Sequence, residues 1–432
     1  MQSQRRVAVT GLGMVTPLGN SAAATWRALL DGRSGVAPIT GFDAAGFPVR
    51  IAAEVRNFDP AACIGDRELL DYASRHAAFA LAAAQEAIQD AGVRPRPQTA
   101  ARWGCVAGSG MMGVDFGELL KFQRAFAAGG KLACPLLFAA NAPPPDLTAY
   151  ARTQPNAGLA LLVRHFGIRG YANAVHTACA SGGQAIGMAL RLMRRGGADC
   201  VLAGGFDSMI NPIGLAAFTM LGALSTDNGR PTGASRPFDR TRNGFVLGEG
   251  AGFMVLEEWE AARRRGVRIY AELAGEGNSL SSYRITDSHP SGDGPIQAMQ
   301  RALADAAAHP EQVGYINAHG TSTPMNDRSE CAAVTAVFGP HAKQVQVSST
   351  KSLMGHLIAG AGAVEAVICA LAIHHSTLPF SANLEQPDPL CDLNFVRERP
   401  AQCRLELAMS NSFGFGGSNN SLVFRNPEAV AQ

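Results

Sequence analysis

The sequence predicts an α/β protein built from two similar halves, with alternating strands and helices arranged in layers. Three observations carry that prediction. Apolar β-type runs alternate with helical segments along the whole 432-residue chain, which is the pattern of sheets covered by helices. A helical pattern A-x-Q-x-A-x-x-D-A occurs twice, as Ala83-Ala84-Gln85-Glu86-Ala87-Ile88-Gln89-Asp90-Ala91 and as Ala298-Met299-Gln300-Arg301-Ala302-Leu303-Ala304-Asp305-Ala306. Finally, 48 glycines, 47% hydrophobic and only 17% charged residues suit close contacts between helices and strands and exclude a disordered chain.

Taken in order, the chain opens on a strand, Val7-Ala8-Val9-Thr10, and the first repeat helix leads into a second β-type run, Trp103-Gly104-Cys105-Val106-Ala107-Gly108-Ser109. Residues 129–156 contain Pro135, Pro143, Pro144, Pro145 and Pro155, too many for one helix or a central strand. A strand, a turn and a helix follow around Cys179. The charged residues Glu257, Glu258, Glu260 and Arg263-Arg264-Arg265-Gly266 mark a helix end, place the breakpoint near 258–268 and divide the chain into halves 1–262 and 263–432. The second repeat helix leads to Tyr315-Ile316-Asn317-Ala318-His319-Gly320-Thr321. Residues 345–350 then pass through Lys351 and His356 into a helix apolar on every side, the mark of a buried central element.

Net charge is +2, from 37 basic and 35 acidic residues, so no global field draws the protein to nucleic acid or to a membrane surface. No apolar signal region precedes the first strand, and a cytoplasmic protein without a membrane segment is expected. Nine cysteines with irregular spacing and no C-x-x-C pair argue against a disulfide framework or a zinc site.

Cys179 stands in Val175-His176-Thr177-Ala178-Cys179-Ala180-Ser181-Gly182-Gly183, just before a helix with apolar residues at 185, 186, 189, 190 and 193. A thiol at the positive end of a helix gains thiolate character and becomes a nucleophile. A buried, inert cysteine is the commoner case, so partners decide. Two histidines lie in short strand-to-loop segments, His319 in Asn-Ala-His-Gly-Thr-Ser-Thr-Pro and His356 in Ser-Ser-Thr-Lys-Ser-Leu-Met-Gly-His-Leu. A fourth segment, Ser410-Asn411-Ser412-Phe413-Gly414-Phe415-Gly416-Gly417-Ser418-Asn419, is glycine-dense enough to bring backbone N–H groups close to a reacting group. It lacks the Lys-Ser/Thr ending of a phosphate loop.

With these four segments, and with Arg6-Val7-Ala8-Val9-Thr10-Gly11-Leu12-Gly13-Met14-Val15-Thr16-Pro17-Leu18-Gly19 and the run Ala-Ser-Arg-Pro-Phe-Asp-Arg-Thr-Arg-Asn-Gly-Phe-Val-Leu-Gly-Glu-Gly-Ala-Gly at 234–252, the chain resembles the elongating β-ketoacyl-acyl carrier protein synthases of the thiolase superfamily. The likeness is greatest to the type II enzyme of bacterial fatty acid synthesis and spans nearly the whole sequence. It implies a duplicated thiolase-like fold, layered αβαβα with two mixed sheets around buried helices. It also implies an acyltransferase that holds an acyl chain on Cys179 and condenses it, with decarboxylation, with malonyl-acyl carrier protein to give a β-ketoacyl chain two carbons longer.

By the same resemblance, His319 and His356 stabilise the enolate, while Lys351 and Glu330 form a supporting charged pair that orients and tunes them. Backbone N–H groups of Cys179 and Phe413 form the oxyanion hole. Met111, Phe218 and Phe415 line the acyl pocket, and Thr321 and Thr323 bind the pantetheine arm. No metal or organic cofactor is implied, because phosphopantetheine arrives on the acyl carrier protein. A homodimer is implied, or a heterodimer with a second ketosynthase-like subunit.

Two departures bear on specificity. The family's basic carrier-docking segment corresponds to Asp66-Arg67-Glu68-Leu69-Leu70-Asp71, and a further family arginine is replaced by Gly222. Carrier proteins are acidic, so these losses weaken steering by a generic carrier. They favour a specialised ketosynthase of a polyketide or polyene pathway. An acyltransferase or thioesterase using the same cysteine, and a non-catalytic partner subunit, are the competing functions.

Overall fold

A computed structural model describes residues 5–110, 146–286 and 289–430. Met111 and most of the proline-rich stretch lie outside the described residues; its described end includes a short helix, Leu147–Arg152, capped by Asp146. The first half runs β1 (Val7–Val15), α1 (Arg75–Ala91), β2 (Trp103–Ser109), α2 (Ala157–Phe166), β3 (Ala172–Val175), α3 (Ser181–Arg194), β4 (Cys200–Ser208) and β5 (Glu249–Glu258), followed by α4 (Trp259–Arg265). The second runs β6 (Ala271–Leu280), α5 (Asp293–Asp305), β7 (Val313–Asn317), α6 (Pro324–Phe338), β8 (Gln346–Ser348), α7 (Lys351–Met354), α8 (Ala361–His375), β9 (Asn394–Phe395), β10 (Leu407–Phe413) and β11 (Ser418–Arg425).

Both halves have the same topology. The first half orders its strands β3-β2-β4-β5-β1 and the second β8-β7-β10-β11-β6, with β9 added outside β8. In each, the first three strands are parallel and the last two antiparallel. The two expected sheets are the halves of one 11-stranded sheet. They join through a short antiparallel contact between β1 and β6, Ala8 with Glu272 and Val9 with Ala271.

The repeated helix pattern has a physical cause. Helices α1 and α5 lie so close to β1 and β6 that a methyl group at Gly11 or Gly13 would strike the carbonyl oxygens of Ala87 or Ala83, and one at Gly275 or Gly277 those of Ala302 or Ala298. Alanine on the helix and glycine on the strand are both needed for that approach. The repeated aspartate completes it: Asp90 accepts the N–H of Leu12, between the first two glycines, at 3.0 Å. Asp305 accepts the N–H of Glu276, between the second two, at 3.0 Å.

Helices α3 and α8 form the central layer and touch strands of both halves, while α1 and α2, and α5 and α6, cover the outer faces. Residues 358–375 have a mean hydropathy of 1.6, and 89% of that stretch is buried inside the protein. Its apolar circumference is therefore spent on sheet and helix neighbours.

Gly13→Ala and Gly277→Ala are each expected to cost roughly 1–3 kcal/mol through overpacking, read as a lowered thermal unfolding midpoint. Gly46→Ala, whose added methyl would meet nothing within 4 Å, serves as control. Equal midpoints for all three variants would contradict the close-packing account.

Candidate active site

After β3 the chain reverses at Ala178, a non-glycine residue held at φ +50°, and makes a single 3-10 turn, Ala178–Ala180, before α3 begins. Such a backbone conformation is strained and needs support. Ser181 supplies it, accepting the N–H of Thr177 at 2.8 Å and donating to the carbonyl of Ala178 at 2.7 Å. Cys179 sits on the tip of this turn, 4% exposed.

His319 follows β7 directly. Its backbone N–H and that of Gly320 both donate to the Glu330 carboxylate on α6, at 2.9 and 2.7 Å, and the Asn411 side chain donates to the same group at 3.2 Å. His356 lies between α7 and α8, fixed by its N–H to the Val246 carbonyl at 2.8 Å and by its own carbonyl accepting from Gly248 at 2.9 Å. The Ile358 N–H donates to its Nδ1 at 3.3 Å. That leaves Nε2 carrying the ring proton, 3.0 Å from the sulfur of Cys179. The two imidazoles stand nearly perpendicular, at 82°, with centroids 5.3 Å apart. The Cys179 sulfur and one ring nitrogen from each histidine lie within 4.8 Å of one another, a spacing that would also admit a soft divalent cation.

The structure corrects three expectations. Lys351 does not pair with Glu330: its ammonium meets Glu365 of α8, both side chains at most 2% exposed. Glu330 is engaged with the backbone of the His319 loop instead. The N–H beside the Cys179 sulfur, apart from the residue's own, belongs to Phe415 and not to Phe413. Phe413 is still within β10, its backbone in register with Asn419 of β11. The thiol, finally, is not a ready thiolate. Burial pushes it up to about 12, against the pull of the Lys351 charge and of the Phe415 and Cys179 N–H groups. Desolvation outweighs the helix end here.

Burial also holds His319 and His356 well below the ordinary histidine range, with the Lys351 charge acting in the same direction. Both rings are therefore neutral near pH 7. Burial raises Glu330 and Glu365 to about 7, opposed by the N–H donors of Gly320 and His319 in one case and by Lys351 in the other.

The glycine-rich turn closes over this group. A Cβ on Gly414 would lie 3.1 Å from the Cys179 nitrogen and 2.9 Å from the Thr177 carbonyl, so only glycine lets the two turns touch. Gly416 and Gly417, at φ +79° and +80°, turn the chain back into β11. A cavity of about 300 Å³ is lined by Cys179, both histidines, Thr321, Thr323 and Phe415, and Gly222 also lies on its wall. The Thr321 and Thr323 hydroxyls bond each other at 2.9 Å. Phe218 lies behind, edge-on to Phe245 at 5.5 Å and tilted against Phe415 at 6.4 Å. Met111 lies outside the described residues.

Sequence reasoning missed Glu365, the Phe415 N–H and Asp207, a buried carboxylate behind α8. Glu365 left a readable sign, as the one acidic residue among the apolar positions of that helix.

Residues 4–262 match the family described as Beta-ketoacyl synthase, N-terminal domain, and residues 270–385 its C-terminal domain. The chain belongs to the β-ketoacyl synthase family. Among similar proteins of this family, the 3-oxoacyl-[acyl-carrier-protein] synthase 2 of Coxiella burnetii is 42% identical over 97% of this chain and 98% of its own. That of Staphylococcus aureus strain COL is 39% identical over 99% of this chain and 100% of its own. Among solved structures, a β-ketoacyl synthase from Burkholderia phymatum STM815 has a TM-score of 0.87 at 32% identity, covering 98% of this chain and 99% of that one. A ketosynthase of a type II PKS in complex with its acyl-carrier protein, AntDE:AntF, has a TM-score of 0.85 at 32% identity, covering 98% and 99%. The ishigamide ketosynthase/chain length factor has a TM-score of 0.86 at 32% identity, covering 98% and 100%.

A double-mutant cycle tests the reassigned ion pair. Lys351→Met with Glu365→Gln is expected to show a coupling of about 1–3 kcal/mol in unfolding free energy, as neighbours in one network do. Lys351→Met with Glu330→Gln should couple less. Equal or larger coupling to Glu330 would restore the original pairing.

Proposed function

We propose that the chain catalyses decarboxylative Claisen condensation, joining an acyl group carried on Cys179 to malonyl-acyl carrier protein and releasing a β-ketoacyl chain two carbons longer. The observation that carries this reading is the approach of Cys179 and two neutral histidines in one cavity. In the first step the Cys179 sulfur bonds to the acyl carbon, the pantetheine thioester breaks, and the thiol proton leaves with the departing pantetheine sulfur. The N–H groups of Cys179 and Phe415 hold the oxyanion of that step.

In the second step the malonyl thioester sits with its carbonyl oxygen on the N–H groups of His319 and His356. The bond to the carboxylate breaks, CO2 leaves, and the electron pair is held as an enolate by those two donors. The resulting carbon attacks the acyl group, its bond to Cys179 breaks, and the departing sulfur takes up a proton from solvent, which replaces the one lost in the first step. Neutral imidazoles can serve this task, because each still carries one N–H that donates to the developing oxyanion. Both substrates arrive already activated as thioesters, so the reaction calls for no metal or organic cofactor.

The remaining assignments belong to the same proposal. Phe415 gates the acyl pocket with Phe218 behind it, Met111 is assigned to the same pocket, and Thr321 and Thr323 face the pantetheine arm. Residues 1–262 supply the nucleophile and 263–432 both histidines, and the protein works in the cytoplasm as a homodimer or beside a second ketosynthase-like subunit. A specialised acyl chain and carrier are favoured by two features. Asp66 caps a short helix, Arg67–Asp71, on which Arg67, Glu68 and Asp71 are exposed and mostly acidic, and Gly222 leaves that part of the cavity wall uncharged.

After incubation with acyl-carrier protein, intact-mass spectrometry is expected to show an acyl adduct that is absent in Cys179→Ala. His319→Ala and His356→Ala should lower CO2 release from malonyl-carrier protein by about 10²- to 10³-fold, as losses of oxyanion donors do, and spare acyl loading. Loading impaired more than decarboxylation would overturn the assigned roles. Equal turnover with a housekeeping fatty-acid carrier and a pathway carrier would remove the specialised reading. Phe415→Ala should shift chain-length preference, and an unchanged preference would return that ring to core packing.

A further inference from the structure

The two halves repeat the turn that carries Cys179. In the second half Ile358 is held at φ +47°, a 3-10 turn follows at Ile358–Gly360, and α8 begins at once. Ala178 at φ +50°, the turn Ala178–Ala180 and α3 are its counterparts. Ala359 thus holds the place of Cys179. In the first half, the N–H at that place faces the residue's own sulfur and, among the described residues, donates to no carboxylate. In the second, the N–H of Ala359 is already taken: it donates to Oδ2 of Asp207 at 3.1 Å.

Asp207 comes from the other half, near the end of β4, and is 2% exposed. Its second oxygen accepts the N–H of Ser208 at 2.8 Å, and among the described residues it forms no ion pair. A buried carboxylate without a cation is costly to keep. Burial accordingly raises it to about 6 against these two donors. Space is also reserved for it, since a Cβ on Gly110 would lie 2.7 Å from Oδ1.

The turn that Asp207 holds begins one residue after Leu357, and its first N–H, that of Ile358, is the donor to Nδ1 of His356. We propose that Asp207 is a positioning residue for His356: by anchoring the Ala359 N–H it keeps the Ile358 N–H on Nδ1, and so keeps the ring proton on Nε2, facing Cys179. The nucleophile half thereby sets the tautomer of a histidine in the other half. A turn that binds substrate charge on one side of the pseudo-symmetric pair binds a permanent internal carboxylate on the other. This inference rests on the proposed role of His356 in decarboxylation, and the test separates the two.

The test uses the full chain labelled with 15N-histidine, in wild-type form and as Asp207→Ala, Asp207→Asn and His356→Ala, the last to assign the His356 signals. Asparagine keeps an oxygen acceptor for the Ala359 N–H, whereas alanine removes it. In wild type and Asp207→Asn, His356 should show a single Nε2–H tautomer. Asp207→Ala should show a mixture, with decarboxylation lowered about 10- to 100-fold, the range seen when a supporting hydrogen bond is removed, and acyl loading of Cys179 largely kept. A wild-type tautomer in Asp207→Ala, or an Asp207→Asn variant as impaired as Asp207→Ala, would overturn the inference. Unimpaired decarboxylation in His356→Ala would instead overturn the functional reading beneath it.

Discussion

Exclusion of water from Cys179 is the constraint on which the site depends. A thiol 4% exposed, beside two imidazoles and a lysine-glutamate pair that are just as buried, is a concentration of polar groups that a core tolerates only when each has a defined partner or purpose. Desolvation sets the resting state. It raises the thiol and lowers both histidines, so every member of the trio is neutral and none carries charge until substrate arrives. The ion pair of Lys351 with Glu365 lies beside the trio, and the Lys351 charge biases it against protonated histidine and toward thiolate.

The fold supplies this buried site by placing two copies of one topology side by side in a single sheet. Each copy turns from a parallel strand into a buried helix through a strained non-glycine residue, Ala178 in one and Ile358 in the other. What differs is what each turn presents. The first presents a sulfur with its own N–H beside it, and the second presents His356 just ahead of it and spends its N–H on Asp207. Divergence of a few side chains on a common frame thus yields complementary parts of one site. The frame is held by glycine-alanine contacts under α1 and α5, which admit no added methyl group.

Much of this was legible in the sequence. Cys179 and His319 were marked by position, each shortly after a β-type run and next to small residues, and His356 by the glycine before it; the structure sets the short helix α7 between β8 and His356. The duplication was visible because close packing restricts helix faces to alanine, and the single aspartate in the repeat has a backbone donor in both halves. The buried helix showed itself by being apolar on every side. What could not be read depends on three-dimensional neighbours. The partner of Lys351 is Glu365, fourteen positions on by the numbering, and not Glu330; only the facing of α7 and α8 decides between them. The N–H beside the Cys179 sulfur belongs to Phe415 and not to Phe413 because Phe413 is still part of strand β10, and the glycine-rich turn begins only after it. The thiol's protonation was misread because a helix end is visible in sequence and the depth at which it is buried is not.

The central claim is that Cys179 rests as a neutral thiol and is made nucleophilic only within the substrate complex. Its most direct test is a titration of thiolate ultraviolet absorbance in the free enzyme, taken as the difference between wild type and Cys179→Ala from about pH 6 to pH 9, the interval in which an activated thiol ionises. The account predicts a flat difference across that range. A one-thiolate step with a midpoint near neutrality would show that the helix end and Lys351 outweigh burial, and would contradict it.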